Sequence, residues 1–149
     1  MIRLLAISHV AEMGGAEHSL AILLRALPLR EYEVHVALPD PAGSLGVALG
    51  RRIVCHPCPS LRPLSGRGLP ALSQLWRARI ELSLLADRVR PDLIHANSDV
   101  AMAYVGFLHR RGPFRPGGWR ILWHLRDMRS GGRWRRHLLD RSDARIAVS

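Results

Sequence analysis

The chain of 149 residues is long enough for one domain with a buried core and too short for two. It has no run of about 18 apolar residues, which a membrane-spanning helix needs, and no basic segment ahead of a long apolar stretch, which is typical of a secretory signal. All 22 basic residues are arginine, against 12 acidic residues, and two cysteines are too few for a disulfide framework. We therefore expect a basic protein of the cytoplasm.

The positive charge is concentrated in the later part of the chain. Residues 1–60 hold five arginines and five acidic residues, whereas residues 61–149 hold seventeen arginines and seven acidic residues. A basic surface attracts phosphate-bearing partners such as nucleic acid, nucleotide-linked substrates or anionic lipids. A solvated arginine-rich face without any partner explains the same bias, and both interpretations stay open.

The first predicted elements are a buried strand, a turn with two glycines, and a helix. Residues 2–7 form a nearly continuous apolar run, which is typical of a strand covered on both faces in a parallel sheet. From Ala16 onward, apolar residues return at three- and four-residue spacing, as a helix with one buried stripe requires. The residues of this stripe are Leu20, Leu23, Leu24 and Leu27.

Gly14 and Gly15 lie where the strand gives way to the helix. Adjacent glycines permit a positive φ and a close approach of the backbone to a ligand, and the free N–H groups of a helix's first turn suit an anion or a sugar hydroxyl. The pair lacks the third glycine of a dinucleotide-binding fingerprint and the Gly-Lys-Ser/Thr of a phosphate loop. The two glycines therefore predict either a ligand-binding turn or a tight turn before a helix.

The next segments continue an alternation of strands and helices. Residues 32–38 predict a second strand. This strand is expected nearer an edge of the sheet, because Val34 and Val36 share one face in an alternating pattern. Residues 43–50 predict a short helix, and residues 53–55 predict a third strand. A loop rich in Pro, Gly, Ser and Arg follows, and it separates two halves of one domain.

Cys55 and Cys58 form a C-x-x-C pair at the end of the third strand. Such a pair binds metal or carries out redox chemistry when further ligands or a thiolate-stabilising environment are present. No second pair exists to complete a zinc site, and the surrounding prolines indicate the exit from a strand. We predict no metal site.

A long helix is predicted over residues 71–89 and ended by Pro91. Its apolar stripe is interspersed with arginines and consists of Leu72, Leu75, Trp76, Leu82, Leu85 and Val89. Packing against a sheet is the usual role of such a stripe. Contact with a membrane surface is the alternative, since tryptophan and arginine on an amphipathic helix are typical of it.

Polar residues follow the next predicted strand, residues 93–96. This strand completes a strand–helix–strand unit, so parallel pairing is expected. Asn97, Ser98 and Asp99 come directly after it, and ligands of open α/β sheets bind at the carboxyl ends of strands. Ser98 or Asp99 can equally cap the following helix, predicted over residues 100–110.

A histidine lies near the end of the strand predicted over residues 119–125. His124 is followed by Arg126 and Asp127. An imidazole in this place can donate a hydrogen bond to a hydroxyl or a phosphate, and Asp127 can hold its tautomer. Simple packing of a histidine at a sheet edge is the alternative. A basic helix over residues 133–141 and a last strand from residue 144 complete the pattern.

Five motifs occur in a characteristic order: MGGAE at 13–17, YEVHV at 32–36, PDLIHANS at 91–98, WHLRD at 123–127 and SDARIAVS at 142–149. This series resembles the amino-terminal half of family-4 retaining glycosyltransferases of the GT-B architecture. The resemblance extends over nearly the whole chain, and the ordered series is far more specific than any single motif.

The resemblance implies a Rossmann-like, three-layer α/β/α domain with a parallel sheet, which faces a second, nucleotide-sugar-binding half across a cleft. It implies transfer of a sugar from a nucleotide-sugar donor to a hydroxyl acceptor with retention, without a metal or another cofactor. Gly14 and Gly15 are expected beneath the donor diphosphate, and His124 is the expected catalytic residue at the donor sugar. The other expected substrate-binding residues are Glu17, Asn97, Ser98, Arg126 and Asp127.

The family's donor-holding half, with its pair of glutamates, is missing from this sequence. We therefore expect the chain to recognise the acceptor and to be inactive on its own, because turnover needs that half or a partner chain. The expected partners are the nucleotide sugar, the hydroxyl acceptor and the missing half. The basic bias and Trp76 add the hypothesis of a peripheral contact at the inner membrane face, and no nucleic acid is expected.

Two other classes remain as alternatives. A dinucleotide-binding Rossmann protein needs a third glycine, which is lacking, although Asp40 lies near the place of its acidic residue. A non-catalytic nucleic-acid-binding module would use the arginine-rich later part, with Trp119 and Trp134 as stacking platforms. A salt-dependent shift with an oligonucleotide would favour the second alternative.

Overall fold

The structure, a computed structural model, describes residues 1–64, 69–106, 118–126 and 133–147, with the side chains of 133–135 excepted. Strands and helices alternate along the described chain. In order they are β1 (Ile2–Ile7), α1 (Gly15–Ala26), β2 (Tyr32–Leu38), α2 (Ser44–Leu49), β3 (Val54–Pro57), α3 (Leu69–Val89), β4 (Leu93–Ala96), α4 (Asp99–Gly106), β5 (Arg120–Leu125), α5 (Arg133–Leu139) and β6 (Ala144–Ala147).

The six strands form one parallel sheet in the order β3-β2-β1-β4-β5-β6. From β1 the chain moves outward through β2 to β3, then returns through α3 to pair β4 with the other side of β1. The strand order therefore reverses between β1 and β4, and a crevice opens at their carboxyl ends in sheets of this kind. The predicted Rossmann-like α/β fold is confirmed.

Alternating side chains of β1 divide the core into two layers. Leu5 and Ile7 pack with the buried residues of α3 and α4, whereas Leu4 and Ala6 pack with those of α1 and α2. Because both faces of the central strand are covered, both sets of side chains must be apolar. This explains the continuous apolar run at the start of the sequence.

The buried stripes of the helices differ in part from their predicted composition. On α1, Leu20 and Leu24 are buried, but Leu23 is 39% exposed. On α3, Leu72 and Trp76 are exposed, so their predicted place in the core is wrong. The reason is the face on which they lie, since at about 100° per residue Leu72 and Trp76 are on the side of α3 opposite to the buried Ala78.

Candidate active site

The loop after β1 is held in place by the start of α2. The N–H of Leu45 donates to the carbonyl oxygen of Ala11 at 2.9 Å, and the N–H of Met13 donates to Ser44 Oγ at 2.7 Å. The hydroxyl of Ser44 donates in turn to Glu12 Oε2 at 2.6 Å. The position of the glycine pair that follows is thus set by a helix that lies some thirty residues later in the chain.

Gly14 and Gly15 do not use the conformational freedom expected of them. Gly14 is extended, with φ of −123°, and Gly15 is the first residue of α1 without a positive φ. The positive φ that adjacent glycines permit is therefore not adopted here. What the pair provides is space, because a Cβ added to Gly15 would meet nothing within 4 Å.

The first turn of α1 already holds a carboxylate. Glu17 is only 7% exposed, and its Oε2 lies 2.8 Å from the position that a Cβ on Gly14 would take. A negative charge at a helix N-terminus is favourable. This carboxylate makes the turn less suited to an anion directly above it and better suited to a hydroxyl, which can donate to Glu17.

Asn97 lies at the carboxyl end of β4, beside β1. Its N–H donates to the carbonyl oxygen of Ile7 at 3.2 Å, which prolongs the pairing of the two strands. Its side chain is 1% exposed, and neither Oδ1 nor Nδ2 has a hydrogen-bond partner. A buried polar group without a partner destabilises a fold by about 1–3 kcal/mol, so such groups require an explanation.

Ser98 connects the ends of β4 and β1. Its Oγ accepts the N–H of Ala101 at 3.0 Å, so the predicted cap of α4 is observed. The same oxygen lies 3.1 Å from His9 Nδ1. His9 was missed in the sequence analysis, although it follows β1 in the same way as Ser98 follows β4.

His124 and Arg126 form a hydrogen-bonded pair at the end of β5. The Arg126 guanidinium lies 3.2 Å from His124 Nδ1. Because a guanidinium can only donate, Nδ1 must accept, and the proton of the neutral imidazole is then on Nε2. The tautomer thus follows from Arg126, whereas Asp127, predicted for this role, lies outside the described residues.

A second imidazole stacks on His124. The ring centroids of His95 and His124 are 5.7 Å apart with an angle of 22° between the planes, and His95 is 1% exposed. Burial, followed by His124 and Arg126, lowers the pKa of His95 to about 4. Burial, followed by Arg126, also lowers the pKa of His124. Both rings are therefore neutral at pH 7. The sequence offered no signal for His95 beyond a histidine inside an apolar strand.

Charges from two of these segments face each other. Burial lowers the pKa of Arg126, and Glu17 opposes this shift. The ends of β4 and β1 are thus joined by Ser98 and His9, and those of β4 and β5 by the stacked rings of His95 and His124. Glu17 and Arg126 interact electrostatically at the same edge of the sheet. The arrangement offers a carboxylate, an amide, a guanidinium and a neutral imidazole, which together can hydrogen-bond hydroxyl and phosphate groups.

A comparison with models of protein families matches residues 13–149 to the family described as Glycosyltransferase Family 4. The chain belongs to this family. The match includes the glycine pair and the ends of β4 and β5, so Asn97 and His124 lie within the matched segment, whereas His9 precedes it. A search of curated proteins returned no match. A glycosyltransferase domain implies a sugar donor and an acceptor as substrates.

Of the residues behind the two alternative functions, Asp40 has a structural role. Asp40 Oδ1 accepts the N–H of Ala42 at 2.8 Å and shapes the turn before α2. Trp119 is half-buried at the start of β5, and the side chain of Trp134 lies outside the described residues. Neither alternative has support from these positions.

The cysteines of the C-x-x-C pair are not part of a metal or redox centre formed by residues that the structure describes. Both cysteines are free, and no group of three or more His, Cys, Asp or Glu in the described part of the chain could hold a metal ion. Burial raises the pKa of Cys55, and burial together with Glu81 raises that of Cys58 to about 12. The reactive thiolate is thus disfavoured at both residues.

The helices of the described part of the chain include none that is long and apolar enough to cross a membrane.

Acid sensitivity follows from the burial of His95. Its pKa is about 4 in the folded domain and about 6.5 in the unfolded chain, so between these values only the unfolded chain binds the proton. We expect the contribution of His95 to the free energy of unfolding to be constant above pH 7. This contribution should fall by about 3 kcal/mol as the pH decreases towards 4.

Urea unfolding measured from pH 7 to pH 4 checks this expectation. His95→Phe keeps a planar ring against His124 but cannot titrate, so its stability should depend less steeply on pH. Equal pH dependence of the wild type and the variant would contradict the prediction.

Proposed function

We propose that the domain forms the acceptor-binding wall of a retaining glycosyltransferase of the GT-B architecture, which transfers a sugar from a nucleotide-sugar donor to a hydroxyl. The observation that carries the proposal is the unpaired amide of Asn97 at the point where the strand order reverses. A fold tolerates a buried amide without partners when a ligand supplies them. An amide both donates and accepts, as does a sugar hydroxyl, so carbohydrate satisfies both of its atoms.

Glu17 and Ser98 extend this set towards hydroxyl recognition. The buried carboxylate of Glu17 can only accept hydrogen bonds when ionised, and it disfavours a phosphate placed directly above it. Ser98 already uses its oxygen to cap α4, but a hydroxyl group can both donate and accept. We assign the acceptor hydroxyls to Glu17, Asn97 and Ser98.

The donor diphosphate is assigned to the open space beside Gly15, whereas the position of a Cβ on the neighbouring Gly14 faces Glu17. No atom would obstruct a group that approaches Gly15, and the N–H groups of the first turn of α1 are directed towards it. Arg126 supplies a positive charge that is close enough to Glu17 to interact with it electrostatically. This division places the phosphate near the guanidinium and the hydroxyls near the carboxylate.

His124 is proposed as the catalytic residue that touches the donor sugar. Its Nδ1 is engaged by Arg126, so its Nε2–H is the group that can donate to a sugar hydroxyl. The lowered pKa keeps the ring neutral, so it acts as a hydrogen-bond donor without adding a second charge beside Arg126. No proton transfer by His124 is required in this role.

The remaining partners are proposed on the resemblance together with the charge. A second half, on the same chain or on another, holds the nucleotide sugar, and the isolated domain is inactive. No metal and no nucleic acid are required. The protein works in the cytoplasm, with a peripheral contact at the inner membrane face.

Asn97→Leu tests the proposal in the full protein that includes the donor-binding half. Leucine has a similar volume and removes the unpaired amide, so we expect the free energy of unfolding to stay equal or to rise by about 1 kcal/mol. Sugar transfer should fall at least about 30-fold in kcat/KM, because the hydroxyl contacts are lost. Urea unfolding and a transfer assay with nucleotide sugars measure the two effects.

Gln74→Leu is the matched control. The Gln74 amide donates to Tyr104 Oη at 2.6 Å and to the carbonyl oxygen of Arg62 at 3.1 Å, so it has partners and belongs to the fold. This variant should lose stability and keep transfer. The proposal fails if Asn97→Leu behaves in the same way.

A further inference from the structure

A cavity lies between the outer side of α3 and the residue that precedes β5. Its volume is about 380 Å³, which is near the lower end of the range of about 300–1,000 Å³ for small-molecule sites. Trp76, Ser83 and Asp87 of α3 line it, together with Trp119. We name it the tryptophan cavity. The residues that line it are separate from those of the candidate active site.

The helical period brings the lining residues of α3 to one face. At about 100° per residue, those from Trp76 to Asp87 lie within about 70° of one line, which extends over about 16 Å. The buried residues Ala78, Leu82 and Leu85 lie on the opposite side, towards the sheet. The outer face of α3 therefore presents an indole, a hydroxyl and a carboxylate to the same cavity.

The tryptophan cavity extends to the edge of the sheet that is opposite to the candidate active site. Asp87 belongs to the last turn of α3, which leads to the amino end of β4, and Trp119 directly precedes β5. Asn97 and His124 lie at the carboxyl ends of the same two parallel strands. A ligand in the cavity therefore leaves the candidate active site free.

Two tryptophans give the cavity its apolar surface. Trp76 is 63% exposed, so one face of a large indole is open to a ligand. Trp119 is half-buried, and its Nε1 is buried without a hydrogen-bond partner in the part of the chain that the structure describes. A buried donor without a partner destabilises a fold and requires an explanation. A ligand that brings a hydrogen-bond acceptor into the cavity supplies one.

A sugar ring matches the chemistry of this lining. Its C–H groups form apolar faces that pack on the electron-rich face of an indole, and its hydroxyls form a polar rim. Each hydroxyl both donates and accepts, so it can accept from Trp119 Nε1–H and donate to the carboxylate of Asp87 or the hydroxyl of Ser83. A purely apolar ligand would leave the indole N–H without a partner.

The charges of the lining favour a neutral ligand. Arg79 and Asp87 both line the cavity, and their opposite charges leave it without a net charge. Nucleic acid binds through several positive charges that neutralise its phosphates, and a carboxylate among them is unfavourable. A neutral saccharide requires no such charges, and Arg79 can donate to its hydroxyls.

We propose that the tryptophan cavity is a second carbohydrate-binding site, which holds a neutral mono- or disaccharide unit of a glycan. The sugar ring packs on Trp76, and its hydroxyls bond to Trp119 Nε1–H, Ser83 and Asp87. Binding there requires neither a nucleotide sugar nor His124, so the site stands apart from the sugar transfer proposed above.

NMR titration of the full protein with isotope-labelled tryptophan tests the second site. The probes are the methyl glycosides of glucose, galactose, mannose and N-acetylglucosamine, together with maltose and cellobiose. We expect at least one probe to bind with a Kd below about 10 mM and to shift the indole N–H signal of Trp119, which Trp119→Phe identifies. Trp76→Ala should weaken this binding at least about tenfold, because the platform for the ring is lost.

Two control variants separate the cavity from its surroundings. Leu72 lies one turn before Trp76 on α3 and is 61% exposed, but it does not line the cavity. Leu72→Ala should therefore bind the probes as the wild type does. Asn97→Leu changes the candidate active site and should leave the shift of the Trp119 signal unchanged.

Four results would overturn the inference. The first is that no probe binds with a Kd below about 10 mM, and the second is equal loss of binding in Trp76→Ala and Leu72→Ala. The third is probe binding that Asn97→Leu abolishes. The fourth is that adenosine monophosphate binds the cavity more tightly than every sugar and that salt weakens its binding.

Transfer to a small soluble acceptor should be the same in the wild type and in Trp76→Ala. A failure of the second site is therefore distinguishable from a failure of the proposed activity.

Discussion

His124→Ala is expected to lower kcat/KM for sugar transfer about a thousandfold in the full protein with its donor-binding half. The variant loses the Nε2–H donor that we assign to the donor sugar, and preorganised hydrogen bonds that strengthen in a transition state contribute effects of this size. The loss should appear mainly in kcat. Steady-state kinetics with a nucleotide sugar and its acceptor measure it.

Two variants define the specific effect of His124. In His124→Gln, the side-chain amide places an N–H group at about the same distance from the backbone as Nε2 of histidine. This variant should therefore recover part of the rate. His137→Ala removes an exposed histidine near the carboxyl end of α5, which has no role in the proposed site, and should leave the rate unchanged. Equal rates in His124→Ala and the wild type would show that the assignment is wrong.

Gly15→Val is expected to weaken binding of the nucleotide sugar at least about a hundredfold. A Cβ at this position meets no atom of the protein within 4 Å, so the valine fits the fold and occupies the space assigned to the diphosphate. Close approach of a backbone to a ligand is a known use of glycine. Calorimetric titration with nucleotide sugars measures the affinity, and thermal unfolding verifies the unchanged fold.

Gly118→Val is the control with the same geometry. A Cβ on Gly118 also meets nothing within 4 Å, but this residue precedes β5, at the amino end of the sheet. The substitution has the same size and chemistry and should not change the affinity. If both variants bind the nucleotide sugar as the wild type does, the space beside Gly15 is not the donor site.

The sequence by itself determined the layers of the fold and the edge of the sheet at which the candidate site residues gather. The apolar run of β1 indicates a strand covered on both faces, and strand–helix–strand units pair in parallel. Because parallel strands place their carboxyl ends at one edge, Asn97 and His124 were predicted to share that edge with the glycine pair. This inference needs only the period of the hydrophobic pattern and the direction of the chain in each strand.

Only the tertiary structure decided the contacts within the site and on the surface. The anchoring of the glycine loop by Ser44, the stacking of His95 on His124 and the tautomer set by Arg126 all depend on pairs that periodicity does not specify. The exposure of Leu72 and Trp76 has the same origin, because α3 carries apolar residues on two faces and only the structure shows which face meets the sheet. Local patterns identify the faces of elements, whereas the distances between elements decide which side chains meet.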